Sequence, residues 1–343
     1  MNEEVKELIG RLKTWGSSCT TMFADLRTID FVSTSEDSYI EFQDKTYCNK
    51  KLYFKSDPQD PKNAKVIHAL KQFCKILGVP AKFFIDCRPQ LRANMVKNWQ
   101  MSLTENDKKA QVIIKLRESG ECSLIRCFLP VKKSDIVFSE IIEHIVNSIS
   151  VPISLEFVHG DGRDDLILHA RFLFDNEYEI SGKKICFGFT LMASELDAHP
   201  LVVDFFVHDK ESKTSYMMTY GGDPCLVSNY EDLKIDEIRE VIPSMLNRIE
   251  GDIPEIIARI EDRVQDSSNF DPKIETTNLC KFRGLSGKLK QSIYLQVAEC
   301  IDEIKDPLDL ARNVCLVAKD FDIQKRVLIE RAAGVYLNLS FMK

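Results

Sequence analysis

Seven residues on β-prone segments have the chemistry to hold a single strand of nucleic acid. Lys115 and Arg117 lie in 111–117, Arg126 in 124–129, His169 and Arg171 in 165–175, and Phe206 and His208 in 201–208. Cationic groups neutralise phosphates, and an aromatic ring offers a stacking surface for a base. These residues fall on the polar side of a two-residue alternation, which points to one exposed sheet surface. The same pattern also describes a merely solvated face, or one covered by the C-terminal helices.

Other groupings point to metals. His159 precedes Gly160-Asp161-Gly162-Arg163-Asp164-Asp165, and the carboxylates Asp161, Asp164 and Asp165 beside that histidine suit a hard cation such as Mg²⁺. A glycine turn between two strands explains the segment equally, and its acidic spacing is not that of a calcium loop. His199, Asp204 and His208 form a donor set for a transition metal. However, His199 precedes Pro200 in a turn, and alternation puts the other two on a solvated strand face. Cys225, after Gly221-Gly222-Asp223-Pro224, has no partnered base to make it a nucleophile. Phosphate-cradling glycine loops, a GxSxG elbow and an HExxH helix are all absent. The expectation is therefore a non-enzymatic chain with no catalytic residue and no cofactor.

The elements that position these residues follow from periodicity. Residues 3–15 read as an amphipathic helix, 28–55 as short strands, and 62–76 and 81–100 as helices separated by Gly78-Val79-Pro80. Strands 111–117 and 124–129 precede a helix that Ser134 or Asp135 caps and that runs to about Ile149. The alternating block 151–220 predicts an antiparallel sheet with one covered face. From Leu233 the pattern is helical. Asp252-Ile253-Pro254-Glu255 reads as a helix start and 265–285 as a polar break. Helices follow near 286–304, 307–319 and 323–338, with Asp306-Pro307 and Asp322 as caps. The fold class is α+β: a mixed, mainly antiparallel sheet with inserted helices, then a helical C-terminal segment. The expected divisions are 1–20, 21–228 and 229–343.

Composition narrows the function classes. The 343 residues are 44% apolar and 29% charged, which excludes a wholly disordered, collagen-like or membrane chain. With 46 Lys and Arg against 53 Asp and Glu, the net charge is −7, so the chain is no generic polycation. Residues 231–271 hold 12 acids and five bases, leaving the remainder about neutral in sum. That acidic helical arm is either a solvated face or a surface for a protein partner. An acidic start and the lack of a long apolar run point to the cytoplasm and to no membrane. Eleven cysteines include no CxxC pair. Cys74, Cys127, Cys186, Cys300 and Cys315 sit in apolar patterns and read as buried free thiols.

Several segments, in order, resemble the phage/plasmid-like protein family, a domain of unknown function found in phages, plasmids and prophages. They are Leu77-Gly78-Val79-Pro80 with Phe83 and Phe84, then Asn98-Trp99, then Ile125-Arg126-Cys127-Phe128-Leu129 running into Asp135 and Ser139-Glu140-Ile141-Ile142. Phe187-Gly188-Phe189-Thr190 with Ser194-Glu195 follows, and Glu330-Arg331-Ala332-Ala333-Gly334 comes last. The resemblance spans most of 60–340. Tyr220-Gly221-Gly222-Asp223 departs from the Cys-x-Asn-Gly-like segment expected there. The family has no secure catalytic residues to carry over. It implies a mobile-element protein of DNA metabolism, in the host cytoplasm. The leading expectation is a homo-oligomeric, non-enzymatic binder of single-stranded nucleic acid that supports replication or recombination. The alternatives are an assembly protein docking a host or phage partner through the acidic arm, and a metal-dependent nuclease.

Overall fold

The structure, a computed structural model, describes residues 2–17, 19–34, 38–42, 51–54, 67–119, 122–131, 137–149, 152–159, 167–194, 200–219, 226–228, 235–265 and 269–339. The fold is α+β, as expected, but its strands form two separate sheets.

The first sheet comprises β1 (Cys19–Asp25), β2 (Ile29–Ser33), β3 (Ser38–Phe42), β4 (Lys51–Tyr53), β5 (Gln111–Ser119) and β6 (Cys122–Pro130), in the order β1-β5-β6-β4-β3-β2. Only β4 and β6 run parallel. Alternation explains its covered face: Val112, Ile114 and Leu116 of β5 point to one side and are buried. Helices α2 (Ile67–Leu77), α3 (Ala81–Asp86) and α4 (Pro89–Ser102) supply the opposing apolar stripe, with α2 over β6 and α4 over β2. An aromatic cluster fills the gap, with ring centroids 5.6 Å apart for Phe31–Phe73 and 5.3 Å for Phe73–Phe128. Gly78 ends α2 in the left-handed region (φ 71°), where Gly78 N donates to Lys75 O and Val79 N to Cys74 O.

The second sheet runs β11-β10-β9-β8-β7, all antiparallel, from β7 (Ile153–His159), β8 (Leu168–Ile180), β9 (Lys183–Ala193), β10 (Leu201–Asp209) and β11 (Thr214–Met218). β12 (Leu226–Ser228) pairs with the start of β10. One face, carrying Phe172, Phe189, Val203 and Phe205, packs on α1 (Glu3–Ser17), α5 (Phe138–Ser148) and α6 (Ile235–Gln265). Beyond α6 come α7 (Pro272–Leu279), α8 (Gly287–Glu299), α9 (Pro307–Ala318) and α10 (Ile323–Tyr336).

Asp306 and Asp322 are N-caps, as their spacing indicates: their side chains accept from Asp309 N and Lys325 N. Other expectations change. α5 begins at Phe138, with Val137 as its cap, while Ser134 and Asp135 lie outside the described residues. Pro254 does not start a helix. α6 runs unbroken through Pro243 and Pro254, because Ile249, Ile253, Ile256 and Ile260 bury one continuous stripe that outweighs the lost backbone bonds. The polar segment 265–285 contains α7, capped by Asp271. Cys74, Cys127, Cys186 and Cys315 are buried free thiols, whereas Cys300 is half-buried. Burial pushes the Cys74 and Cys186 thiols up to about 11, which keeps them protonated.

Candidate nucleic-acid interface

The seven residues read as one exposed sheet surface do not share one. Lys115, Arg117 and Arg126 belong to the first sheet, and His169, Arg171, Phe206 and His208 to the second. Lys115 is buried, while Arg117 and Arg126 are half-buried around an irregularity in the β5–β6 register. His169, Arg171 and Phe206 are fully buried, and His208 nearly so.

The physical reason is α10, which lies across the polar face of the second sheet. Arg171 and Glu330 form a bidentate pair with both side chains buried, Nη1 lying 3.1 Å from Oε1. Glu330 also accepts from Arg326 Nε at 2.9 Å, and Arg331 pairs with Asp204 at 2.5 Å. The Arg171 guanidinium sits over the Phe206 ring, 5.4 Å from its centroid, and that ring meets His208 edge-to-face. Phe206 therefore stacks on a protein cation and has no surface left for a base. Glycines permit the close approach. A Cβ at Gly188 would lie 2.7 Å from Phe206 Cζ, and one at Gly334 would lie 1.7 Å from Met217 O. The second sheet is thus covered on both faces, and the polar alternation marks an internal seam.

The seam carries perturbed groups without catalytic geometry. His208 Nδ1 lies 3.0 Å from Ser215 Oγ and 3.8 Å from Glu156 Oε1. Both contacts fall on the same ring nitrogen, so no relay from carboxylate through imidazole to hydroxyl exists. Burial, then the nearby Arg171 charge, lowers the His208 pKa to about 4, and burial raises that of Glu156. Because His208 is neutral in the folded state and titrates near 6.5 when unfolded, its contribution is complete above that value. As pH falls from 6.5 to 4 the unfolded state alone gains the proton, costing about 3 kcal/mol. Thermal melts of wild type and His208→Asn should therefore diverge over that window, the wild type losing more stability. Glu156 acts in the opposite sense in both proteins.

The metal candidates are not assembled among the described residues, where no cluster of three donor side chains occurs. Asp204 and His208 lie in the seam, with Asp204 held by Arg331. His159 is the last residue of β7, while Asp161, Asp164, Asp165, His199 and Cys225 lie outside the described residues. In the acidic arm, the apolar stripe of α6 is committed to the core, and Glu240, Glu255 and Asp262 are exposed on its outer side.

Exposed cations do occur on the helices over the first sheet. Residues 62–133 hold 15 Lys and Arg against five Asp and Glu, a block hidden by the near-neutral sum outside the arm. From Ile67 to Ser102 there are six cations and one acid, Asp86. Arg92 turns inward, donating to Cys87 O and Ile85 O. Lys71, Lys75, Lys82, Arg88 and Lys97 are exposed and make no ion pair with described residues. Beside them Phe83 is 55% exposed, and Leu91 and Met101 are also exposed. Lys108 and Lys109, at the entry to β5, are exposed as well. Charge counted within this one segment was the sequence signal for the face.

Among the described residues, no helix is long and apolar enough to cross a membrane. Comparisons with protein-family models, curated proteins and solved structures find no match to this chain.

Proposed function

We propose that the protein binds single-stranded nucleic acid, without catalysis, through the outer face of α2, α3 and α4. The observation that carries this reading is the set of exposed cations Lys71, Lys75, Lys82, Arg88 and Lys97, facing solvent with a single acid among them. Cations spread along a face neutralise successive phosphates, and exposed Phe83 gives a base a ring to stack on. Among the residues of the second sheet, Arg171 holds α10 through Glu330. The resemblance to the phage/plasmid-like family supports a place in the DNA metabolism of a mobile element.

Fluorescence anisotropy with a labelled single-stranded oligonucleotide tests the reading. Each phosphate neutralised contributes a slope of about −0.7 to log K against log salt, so five contacts give about −3.5. Absence of binding at low salt would remove the proposal.

A further inference from the structure

The four outer edges of the two sheets are treated differently. On β2, the Gln100 side-chain amide donates to Leu26 O and Ile29 O, and α4 packs alongside. Beside β7 lies α1. At β11, α10 packs against the strand, and Thr219 N just beyond it donates to Leu339 O. β1 meets α1, the helix that runs directly into it. It pairs with β5 over seven unbroken residues on its inner side, and no backbone bond among the described residues reaches its outer side. Thr20 and Thr21 are exposed, and Phe23 is 68% exposed. Natural edges are protected by charged side chains, Pro, a bulge or shortness; Thr20-Thr21-Met22-Phe23-Ala24 has none of these, and the one charge of β1, Asp25 at its end, is held by Arg27.

We propose that β1 is a self-association edge, pairing antiparallel with β1 of a second copy across a two-fold axis. A row of main-chain donors and acceptors accepts only another extended strand. The identity of that strand follows from register and charge. Antiparallel pairing centred on Met22 overlaps all seven residues and sets Thr21 opposite Phe23 and Thr20 opposite Ala24. A β-branched residue facing an aromatic is a favourable cross-strand pair, and no like charges are opposed. At each end Cys19 faces Asp25 of the second copy, and Arg117 is the β5 neighbour of Cys19. Arg117 and the opposing Asp25 therefore share a sheet face about 9.6 Å apart, two strand spacings, with opposite sign, while Asp25 also pairs with Arg27 of its own chain. The contact is isologous and closes at two copies.

This two-fold axis is perpendicular to the sheet, so both α2–α4 layers lie on one side of a continuous twelve-stranded sheet. The two β6 strands beneath them are five spacings apart, about 24 Å. If the nucleic-acid reading holds, on which this consequence alone rests, the dimer presents two cationic layers to one strand.

The test uses the full chain without nucleic acid, so its outcome is separate from the binding reading. Sedimentation equilibrium up to about 100 µM should show a monomer–dimer equilibrium, weak because one strand pair falls below a standard interface. Phe23→Lys and Phe23→Asp should each raise the dissociation constant at least about tenfold, because a charge is desolvated at the seam. Their melting midpoints should stay unchanged, since Phe23 is exposed in the monomer. A wild type that stays monomeric throughout, or a dimer that neither variant weakens, overturns the proposal.

Discussion

Replacing Glu330 with alanine is expected to destabilise the protein by about 3–5 kcal/mol. The loss leaves Arg171 fully buried without its bidentate partner, and removes the bond from Arg326 Nε to Glu330. A thermal melt should show the midpoint falling by about 5–10 °C. The double variant Arg171→Met with Glu330→Leu should recover most of that loss. A buried ion pair replaced by apolar groups of similar volume is near neutral, whereas a broken one strands a charge. If Glu330→Ala alone melts like wild type, α10 is not held by this pair.

Gly334→Ala is expected to cost about 3 kcal/mol or more, through overpacking. The added Cβ would sit 1.7 Å from Met217 O and 2.8 Å from Met217 C. Both are backbone atoms of β11, so no rotamer change relieves the clash, and α10 must lift from the strand. Chemical denaturation should show a lower midpoint. Gly251→Ala, where a Cβ meets nothing within 4 Å, should by contrast leave stability unchanged or slightly raised. Equal midpoints for Gly334→Ala and wild type would contradict the contact.

These two positions explain what was legible in the sequence. Glu330-Arg331-Ala332-Ala333-Gly334 was visible as a motif of unknown role, and it is the docking surface of α10. Glu330 and Arg331 pair with the sheet, Ala332 and Ala333 are buried, and Gly334 admits the β11 backbone. Phe187-Gly188-Phe189-Thr190 is the matching part of the sheet. Gly188 makes room for Phe206, and Thr190 Oγ1 lies 2.6 Å from His169 Nε2. Period-two alternation located His169, Arg171, Phe206 and His208 on one strand side correctly. Alternation reports polarity, however, and a polar face sealed by a helix of complementary charge has the same pattern as a solvated one. The partners of Arg171 and Asp204 lie 159 and 127 residues away along the chain, a separation that no local pattern reads.

The same limit hid the division into two sheets. β1 and β5 are neighbours although three α-helices and three strands intervene, and the parallel β4–β6 contact crosses α2, α3 and α4. Local features fared better. The caps Asp306 and Asp322 and the Gly78 helix stop depend on residues within one turn, and each stands where its spacing puts it. Pro254 failed as a start signal because burial of the α6 stripe, a tertiary term, outweighed the local one.

The role of the exposed cations is tested by comparing wild type with the triple variant Lys82→Glu, Arg88→Glu and Lys97→Glu. A labelled single-stranded oligonucleotide is titrated with each protein by anisotropy at several salt concentrations. All three side chains are exposed, so the fold should be retained, with the melting curve as control. The wild type should bind, and more weakly as salt rises. The variant should lose at least about tenfold in affinity and show a salt slope shallower by about two, from three phosphates at about 0.7 each. Binding by the triple variant with wild-type affinity and slope, or no binding by the wild type at low salt, would contradict that role.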